Sequence, residues 1–218
     1  MKAVIFDMDG VILDSEIHWK KAELSLFNKI VANWTKDDQH KIVGLSIHDT
    51  YRLLANDFGL TIGRDDFLER VMGVASDVYR NKANLMPDFL EFIKNIKSKN
   101  IPTALASSSL RRWIDLAIGR FSLKDYFDYI ISSEDVDGKG KPAPDIYLFA
   151  AQRLGIDPKE CLVIEDSRNG VVSAKSAGMY CVGLRNGFNE KQDLSTADRE
   201  IEGFIKINNN EFFNLFTK

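Results

Sequence analysis

Histidine and cysteine are scarce in this chain, with three and two respectively among 218 residues. The histidines (His18, His40, His48) all fall in one early segment, and no His/Cys cluster has the ligand spacing of a zinc site. Cys161 and Cys181 each lie in or beside an apolar run (CLVI, MYCVGL), which predicts two buried, reduced thiols rather than a disulfide or a metal pair. Excess positive charge is missing as well. The net charge is −3, whereas broad binding to nucleic acid or to membrane surfaces usually needs a basic face. No apolar run approaches the roughly 20 residues of a membrane span. Met1-Lys2 leads straight into a short apolar run carrying two acids, unlike a signal peptide. These absences predict a cytoplasmic protein with no nucleic-acid and no membrane partner, and nothing demands more than a monomer. Internal repeats and long low-complexity tracts are also absent.

The chain does have an ordinary globular balance, 44% hydrophobic and 28% charged. Its length suffices for one large domain or a core with a smaller companion. Short apolar runs read as strands buried on both faces: Ala3–Phe6, Thr103–Ala106, Tyr129–Ile131, Leu162–Ile164 and Cys181–Leu184. Between them lie segments of helical period, such as Phe89, Phe92, Ile93 and Ile96, and later Ile146, Phe149, Ala150 and Leu154. Strands alternating with helices imply an α/β fold with a Rossmann-like, doubly wound parallel sheet. The segment 15–82 breaks that rhythm. It has helical patterning (Ala22, Leu26, Ile30; Tyr51, Leu54, Phe58; Phe67, Val71, Val74, Val78) and no convincing strand. The expected organisation is therefore a core of residues 1–14 and 83–218 with a small all-helical domain, 15–82, inserted after the first strand. Extra helices packed on the sheet are the alternative.

Sites in open parallel sheets form at the carboxyl ends of strands, so the residues just past each run matter. The first run ends in Asp7-Met8-Asp9-Gly10 and the second in Ser107-Ser108-Ser109. The third leads to Ser132-Ser133-Glu134-Asp135 and on to Lys139-Gly140-Lys141-Pro142, and the fourth to Glu165-Asp166-Ser167. Asp7, Asp9, Glu165 and Asp166 cannot gather unpaired at one edge, because like charges raise one another's pKa. A hard divalent cation removes the conflict, and an oxygen-only donor set favours Mg2+. Hydroxyls and amides at Ser107 to Ser109, with Lys141 as a point charge, suit a phosphoryl group. Composition at the exits thus points to magnesium-assisted phosphoryl transfer. Each piece alone has a plainer reading. Asp-x-Asp-Gly is a common turn, Ser107 to Ser109 would cap a helix, Glu165-Asp166-Ser167 would cap the next, and Lys139 and Lys141 would be solvated. An EF-hand is excluded by a glycine at the fourth loop position and Val11 at the third ligand position.

In this order and spacing, DMDGVILDSE, LASSS, GKGKPAPDIY and VIEDSRNGVVSAKSAGM resemble the haloacid dehalogenase superfamily, specifically its helical-cap phosphatases and phosphomutases. The resemblance spans essentially the whole chain. It implies Asp7 as the nucleophile that forms an aspartyl-phosphate and Asp9 as the general acid and base. It implies Ser107, Ser108 and Lys141 as phosphate-binding groups. It implies a Mg2+ site drawn from Asp7, Asp9 (by its main-chain carbonyl), Glu165 and Asp166, with direct ligation by Glu165 left open. The presence of Asp9 argues against carbon–halogen cleavage, whose enzymes lack the second acid and the metal. No cap lysine stands out for imine-forming phosphonate chemistry.

Phosphatases and β-phosphoglucomutases of this family share these core motifs, so the cap must separate them. The mutases carry a histidine where this chain has Trp19, with His18 adjacent, and an arginine where it has Ile47, followed by His48. A bisphosphate intermediate needs cationic help for its second phosphate, so loss of that arginine favours hydrolysis. The expected function is a Mg-dependent phosphatase of a small phosphorylated metabolite, a sugar phosphate, with Trp19, Ser46 and His48 as substrate contacts in the cap. The alternative is a β-phosphoglucomutase-type phosphomutase, followed by a non-catalytic binding protein on the same fold.

Overall fold

A computed structural model describes the chain apart from Lys36, Val43, Gly44, Ser46, Ile207, Asn208, Thr217 and Lys218, with backbone only at His40, Lys206, Asn209, Asn210 and Glu211. Among the described residues, one six-stranded sheet forms from β1 (Ala3–Phe6), β2 (Thr103–Ala106), β3 (Tyr129–Ile131), β4 (Cys161–Glu165), β5 (Tyr180–Arg185) and β6 (Arg199–Glu202). The order is β3-β2-β1-β4-β5-β6 and every pairing is parallel. The chain winds outward from β1 to β3, then returns to β4 on the other side. β1 and β4 therefore flank the switch point where such sheets open a crevice. Register brings the exits level: Phe6 pairs with Leu105 of β2 and with Ile164 of β4.

Alternation along each strand feeds two cores. Val4, Phe6, Leu105, Leu162 and Ile164 face one side, where α4 (Phe89–Ser98) and α5 (Arg111–Arg120) pack. The Phe6 ring meets Phe89 edge-on at 5.8 Å and Phe127 at 6.0 Å, a geometry that adds to simple burial. Ala3, Ile5, Ala104, Ala106 and Val163 face the other side, beneath α6 (Asp145–Leu154) and α7 (Arg168–Ser176). The C-terminal α8 (Asn209–Asn214) returns to the first face through Phe212, 5.0 Å from the Phe92 ring. Helices thus cover both faces, as the near-continuous apolar strands require.

Residues 15–82 contain α1 (Ser15–Ile30), a 3-10 turn (Asp38–Lys41), α2 (Ile47–Asp57), α3 (Arg64–Asp77) and a π-helical turn (Val78–Lys82). No strand occurs there among the described residues. Phe27 organises this segment, with Trp34 at 5.3 Å and Phe67 at 6.3 Å. Its apolar contacts run on without a break into the first sheet face.

β6 departs from the five strands expected. Its sequence, REIE, buries only Ile201, so it lacks the apolar run that marks its neighbours. It is an edge strand with a partner on one side only, where charged residues are tolerated and guard against further pairing.

Both cysteines are buried and unbridged. Burial pushes the Cys161 thiol up to about 11, aided by Asp157 and Glu160, and raises Cys181 as well. Because the thiolate is the reactive form, Cys161 in the native protein should react with thiol reagents at pH 8 about a hundredfold more slowly than in the unfolded chain. Time-resolved thiol titration with and without denaturant checks this.

Candidate active site

Four strand exits and one loop meet at the carboxyl edge of the sheet. Asp7 leaves β1, its N–H donating to the Ile164 carbonyl at 3.1 Å. Lys141 arrives from the loop ahead of α6 and is buried. Its Nζ donates to Asp7 Oδ1 and to Glu165 Oε1, each at 2.5 Å, and to the Ala106 carbonyl at 3.3 Å. Burial works against the ammonium, but Asp7 and Glu165 outweigh it and hold its pKa above the ordinary lysine value.

Asp7, Glu165 and Asp166 present carboxylate oxygens all within 4.8 Å of one another, every one of them buried. Their partners differ. Glu165 is satisfied at both oxygens: Oε1 takes Lys141 and the Tyr147 hydroxyl (2.7 Å), and Oε2 takes the Asp166 and Ser167 N–H groups and the Ser167 hydroxyl. Asp166 Oδ2 takes the Asn186 amide at 2.9 Å, while its Oδ1 is buried with no hydrogen-bond partner. Asp7 Oδ2 receives no hydrogen bond among the described residues. An orphaned buried carboxylate oxygen is costly. Beside a second free carboxylate oxygen, it is the donor chemistry that a hard cation satisfies. Desolvation raises the Asp7 carboxyl to about 8, with Lys141 opposing and Glu165 and Asp9 adding to the rise. Desolvation also raises Asp166, reinforced by Glu16, Glu165 and Asp7. The donor set fits Mg2+ through Asp7 and Asp166, with Glu165 as the group that holds Lys141.

The Asp9 side chain is not in that cluster. It turns toward the helical segment, where Oδ1 accepts from the Ser15 hydroxyl (2.5 Å) and the Tyr79 hydroxyl (2.9 Å) and Oδ2 accepts from the Ser109 hydroxyl (3.0 Å). Trp19 Nε1 donates in turn to the Tyr79 oxygen at 3.1 Å. Desolvation raises the Asp9 pKa, although all three hydroxyls oppose it. Tyr79 is fully buried and belongs to the π-helical turn, a distortion common at functional sites. Arg120 of α5 holds that turn by donating to the Tyr79 and Ala83 carbonyls at 3.0 and 2.6 Å.

Two glycines make room for the acids. Gly10 has φ +83°, and a Cβ there would lie 2.1 Å from Asp166 Oδ2. Its carbonyl accepts from the same Asn186 amide that holds Asp166. Gly170, in the first turn of α7, lets that helix close on Glu165, whose Oε1 a Cβ would meet at 1.8 Å. Gly10→Ala should therefore cost at least about 2 kcal/mol, from the left-handed backbone plus the collision. It should lower Tm by about 5 °C or more and weaken divalent-metal binding, as read by thermal unfolding and calorimetric titration.

These groups open into one cleft of about 740 Å3 between the sheet edge and residues 15–82, a volume typical of small-molecule sites. Asp7, Asp9, Ser107, Ser108, Lys141, Glu165, Asp166, Trp19 and His48 all line it. Ser46 lies outside the described residues. The capping role for Ser107 to Ser109 does not hold: α5 begins after Leu110, and its first N–H, from Arg111, donates to Glu134 at 2.7 Å. Ser107 instead accepts from the Ser109 N–H at 3.1 Å. Ser167 does cap α7, accepting from the Gly170 N–H at 3.0 Å. Trp19 is both a packing aromatic and a cleft wall, lying 5.4 Å from the Trp113 ring while lining the cavity. His48 Nδ1 accepts from Arg64 at 3.1 Å.

A family model described as haloacid dehalogenase-like hydrolase matches residues 4–184. The chain belongs to this family. It is 32% identical over 198 residues to a phosphorylated carbohydrates phosphatase of Thermotoga maritima, covering 90% of this chain and 91% of that one. It is likewise 32% identical to hexitol phosphatase B of Escherichia coli K12, covering 83% and 82%. The solved β-phosphoglucomutase of Clostridium difficile superposes with a TM-score of 0.79 over 99% of this chain and 97% of that one. At 23% identity, that likeness speaks to the fold alone. The relatives named as phosphatases support a phosphoric monoester hydrolase.

Sequence reasoning missed Tyr79, Tyr147, Ser15, Asn186 and Asn189. Asn189 donates to the Asp166 and Leu184 carbonyls at 2.7 and 2.8 Å. Asn186 directly follows the fifth strand, so the exit rule applied once more would have reached it. The two tyrosines give no such signal, since each occupies a helical position typical of core packing.

Proposed function

We propose that the protein is a Mg2+-dependent phosphatase of a small sugar phosphate, working through an aspartyl-phosphate on Asp7. One contrast carries this reading: two carboxylates two residues apart have opposite surroundings. Asp7 sits against a lysine with one oxygen open to the cleft. Asp9 stands apart, its oxygens held by the Ser15, Tyr79 and Ser109 hydroxyls rather than by Lys141, and this difference in partners separates the proposed nucleophile from the proposed acid.

In the proposed sequence, an Asp7 carboxylate oxygen attacks phosphorus as the bond to the leaving oxygen breaks, and Asp9 gives its proton to that oxygen. Asp9 then takes a proton from the incoming water, whose oxygen attacks the same phosphorus and releases Asp7 and inorganic phosphate. Lys141 and the Ser107 and Ser108 groups hold the phosphoryl oxygens throughout. Magnesium, when held by Asp7, Asp166 and the Asp9 main-chain carbonyl, supplies neutralising charge to the phosphoryl group and keeps Asp7 ionised. Residues 15–82 act as a cap domain over a core of 1–14 and 83–218, excluding bulk water when substrate is bound. Substrate contacts are assigned to Trp19 and His48.

The test is phosphate release over a panel of metabolite monoesters, with magnesium and with chelator. Turnover that requires metal is expected, and a well-folded protein inactive on every monoester would overturn the reading. The phosphomutase alternative predicts conversion of a sugar 1-phosphate to its 6-phosphate when a trace of bisphosphate is added. Among the described residues, Lys20 and His48 are the basic side chains that line the cleft from the cap side. Lys20 is paired with Glu16 at 2.9 Å, and His48 accepts from Arg64, so hydrolysis is the outcome expected.

A further inference from the structure

Helix α1 presents one face to the cleft, made of Glu16, Trp19, Lys20, Glu23, Leu26 and Phe27. These positions recur at the three- and four-residue steps of a single helical stripe. Glu23 is the anomaly on it. Glu16 has Lys20 at 2.9 Å and Trp19 has the Tyr79 hydroxyl. Glu23 has no hydrogen bond and no ion pair among the described residues. Leu26 and Phe27 on its own helix, Ile47 of α2, and Val71 and Val74 of α3 also line this cleft. Desolvation lifts the Glu23 carboxyl to about 7, with Glu16 adding to the rise and Lys20 opposing it. Glu23 is half-buried, and a carboxyl held partly out of water without a partner carries a free-energy penalty. A group that costs stability and faces a ligand cleft is read by its ligand.

We propose that Glu23 is a specificity-determining residue that accepts hydrogen bonds from hydroxyl groups at the non-phosphorylated end of the substrate, selecting polyol or sugar monophosphates over bisphosphates. This rests on the phosphatase reading and names its substrate class. Substrate phosphate is clamped at Asp7 and Lys141, so the rest of the molecule must extend toward the cap stripe. There it meets two carboxylates and one lysine already engaged with Glu16. A second phosphate would find Lys20 already paired with Glu16 and the Glu23 carboxyl beside it, whereas a hydroxyl satisfies Glu23 in either protonation state, as donor to the carboxylate or as acceptor from the acid. Lys20 beside it counts against an ammonium ligand. A site built to hydrogen-bond a hydroxyl rejects analogues lacking it far more strongly than an apolar pocket rejects an extra group.

The test compares wild type, Glu23→Gln and Glu23→Leu with magnesium on four substrates. These are a hexitol monophosphate, p-nitrophenyl phosphate, an amino-sugar monophosphate and a sugar bisphosphate. Glu23→Leu should lose about 10- to 100-fold in kcat/KM on the hexitol phosphate and little on the aryl phosphate, which offers no hydroxyl. Glu23→Gln, which still accepts hydrogen bonds but carries no charge, should keep most hexitol phosphate activity and gain on the bisphosphate. Uniform loss across all four substrates, or no change in their ranking, would overturn the assignment. So would a selective loss on the amino sugar alone, which would make Glu23 a cation site. Wild-type turnover of the aryl phosphate separates the two levels. If it is present while the ranking is unmoved, the specificity role fails and the phosphatase stands; if the wild type turns over none of the four, both fail together.

Discussion

Asp7→Asn should abolish turnover and, in the metal-free protein, raise stability. The loss of activity comes from the role assigned to Asp7. Removing a covalent nucleophile should lower kcat by at least about 10^4-fold, since only the binding and charge stabilisation of the remaining site survive. The gain in stability comes from charge. Three carboxylates and one ammonium are buried together, and Lys141 retains Glu165 at 2.5 Å when Asp7 is neutral. The wild-type Asp7 carboxyl is lifted from 3.8 to about 8, first by desolvation and then by its acidic neighbours against Lys141. A carboxyl with a raised native pKa binds its proton more tightly folded than unfolded. The folded state therefore loses ground as pH climbs from the unfolded value through the native one. Asparagine does not titrate, so the variant's advantage should be small near pH 4, grow up to about pH 8 and then level off.

At about 1.4 kcal/mol per unit, with the side chain relaxing part of the strain, the plateau should be on the order of 2–3 kcal/mol, or roughly 5–10 °C in Tm. Thermal unfolding with chelator at several pH values measures it. Saturating magnesium should reverse the ranking, because a cation binding a hundredfold above its Kd stabilises the wild type by about 2.7 kcal/mol and should bind the variant poorly. A variant less stable than wild type at pH 8 with chelator would show that Asp7 is held by its contacts rather than strained by its neighbours.

Much of this arrangement was legible in the sequence, for a physical reason. β1, β2 and β4 are buried on both faces, so their runs must be apolar, and an acid or hydroxyl directly after such a run is conspicuous. Asp7, Ser107, Glu165 and Asp166 stand out that way, and parallel register then places them at one edge. Lys141 comes from a loop, and it is legible only as a point charge suited to a phosphoryl group and through the GKGKPAPDIY motif of the resemblance. β6 is hidden because an edge strand needs one buried side chain, Ile201, and tolerates charge elsewhere. Tyr79 and Tyr147 are hidden for the opposite reason. An aromatic at a buried helical position is the ordinary content of a core, and only the third dimension shows that one hydroxyl reaches Asp9 and the other Glu165. Composition at the strand exits groups four carboxylates as one metal set, and only the resemblance sets Asp9 apart as the acid and leaves ligation by Glu165 open. The contacts themselves are out of the sequence's reach: the Asp9 side chain turns into a hydroxyl cradle and Glu165 spends both oxygens on the protein.

Lys141→Met should move stability the other way. Among the described residues, Lys141 is the one cation paired with the acidic cluster, so its removal leaves Asp7 and Glu165 facing each other without that counter-charge. Breaking a buried pair from one side costs about 3–5 kcal/mol, which would lower Tm by roughly 10 °C or more, and loss of the proposed phosphate clamp should cost about 10^2- to 10^3-fold in kcat. If charge imbalance rather than lost packing is the cause, neutralising the other side should restore what was lost. Lys141→Met combined with Glu165→Gln should then be more stable than the sum of the single effects by about 1–3 kcal/mol, while activity stays low because the clamp is still missing. Equal additivity would instead assign the loss to the aliphatic stem, which runs past the Tyr147 ring with Nζ 4.9 Å from its centre. Asp7→Asn and Lys141→Met remove opposite halves of one 2.5 Å contact, and a single ion pair would be damaged by either. Opposite signs in the two unfolding curves would mean that the pair sits in a field with an excess of negative charge, and that excess is the condition under which a divalent cation binds.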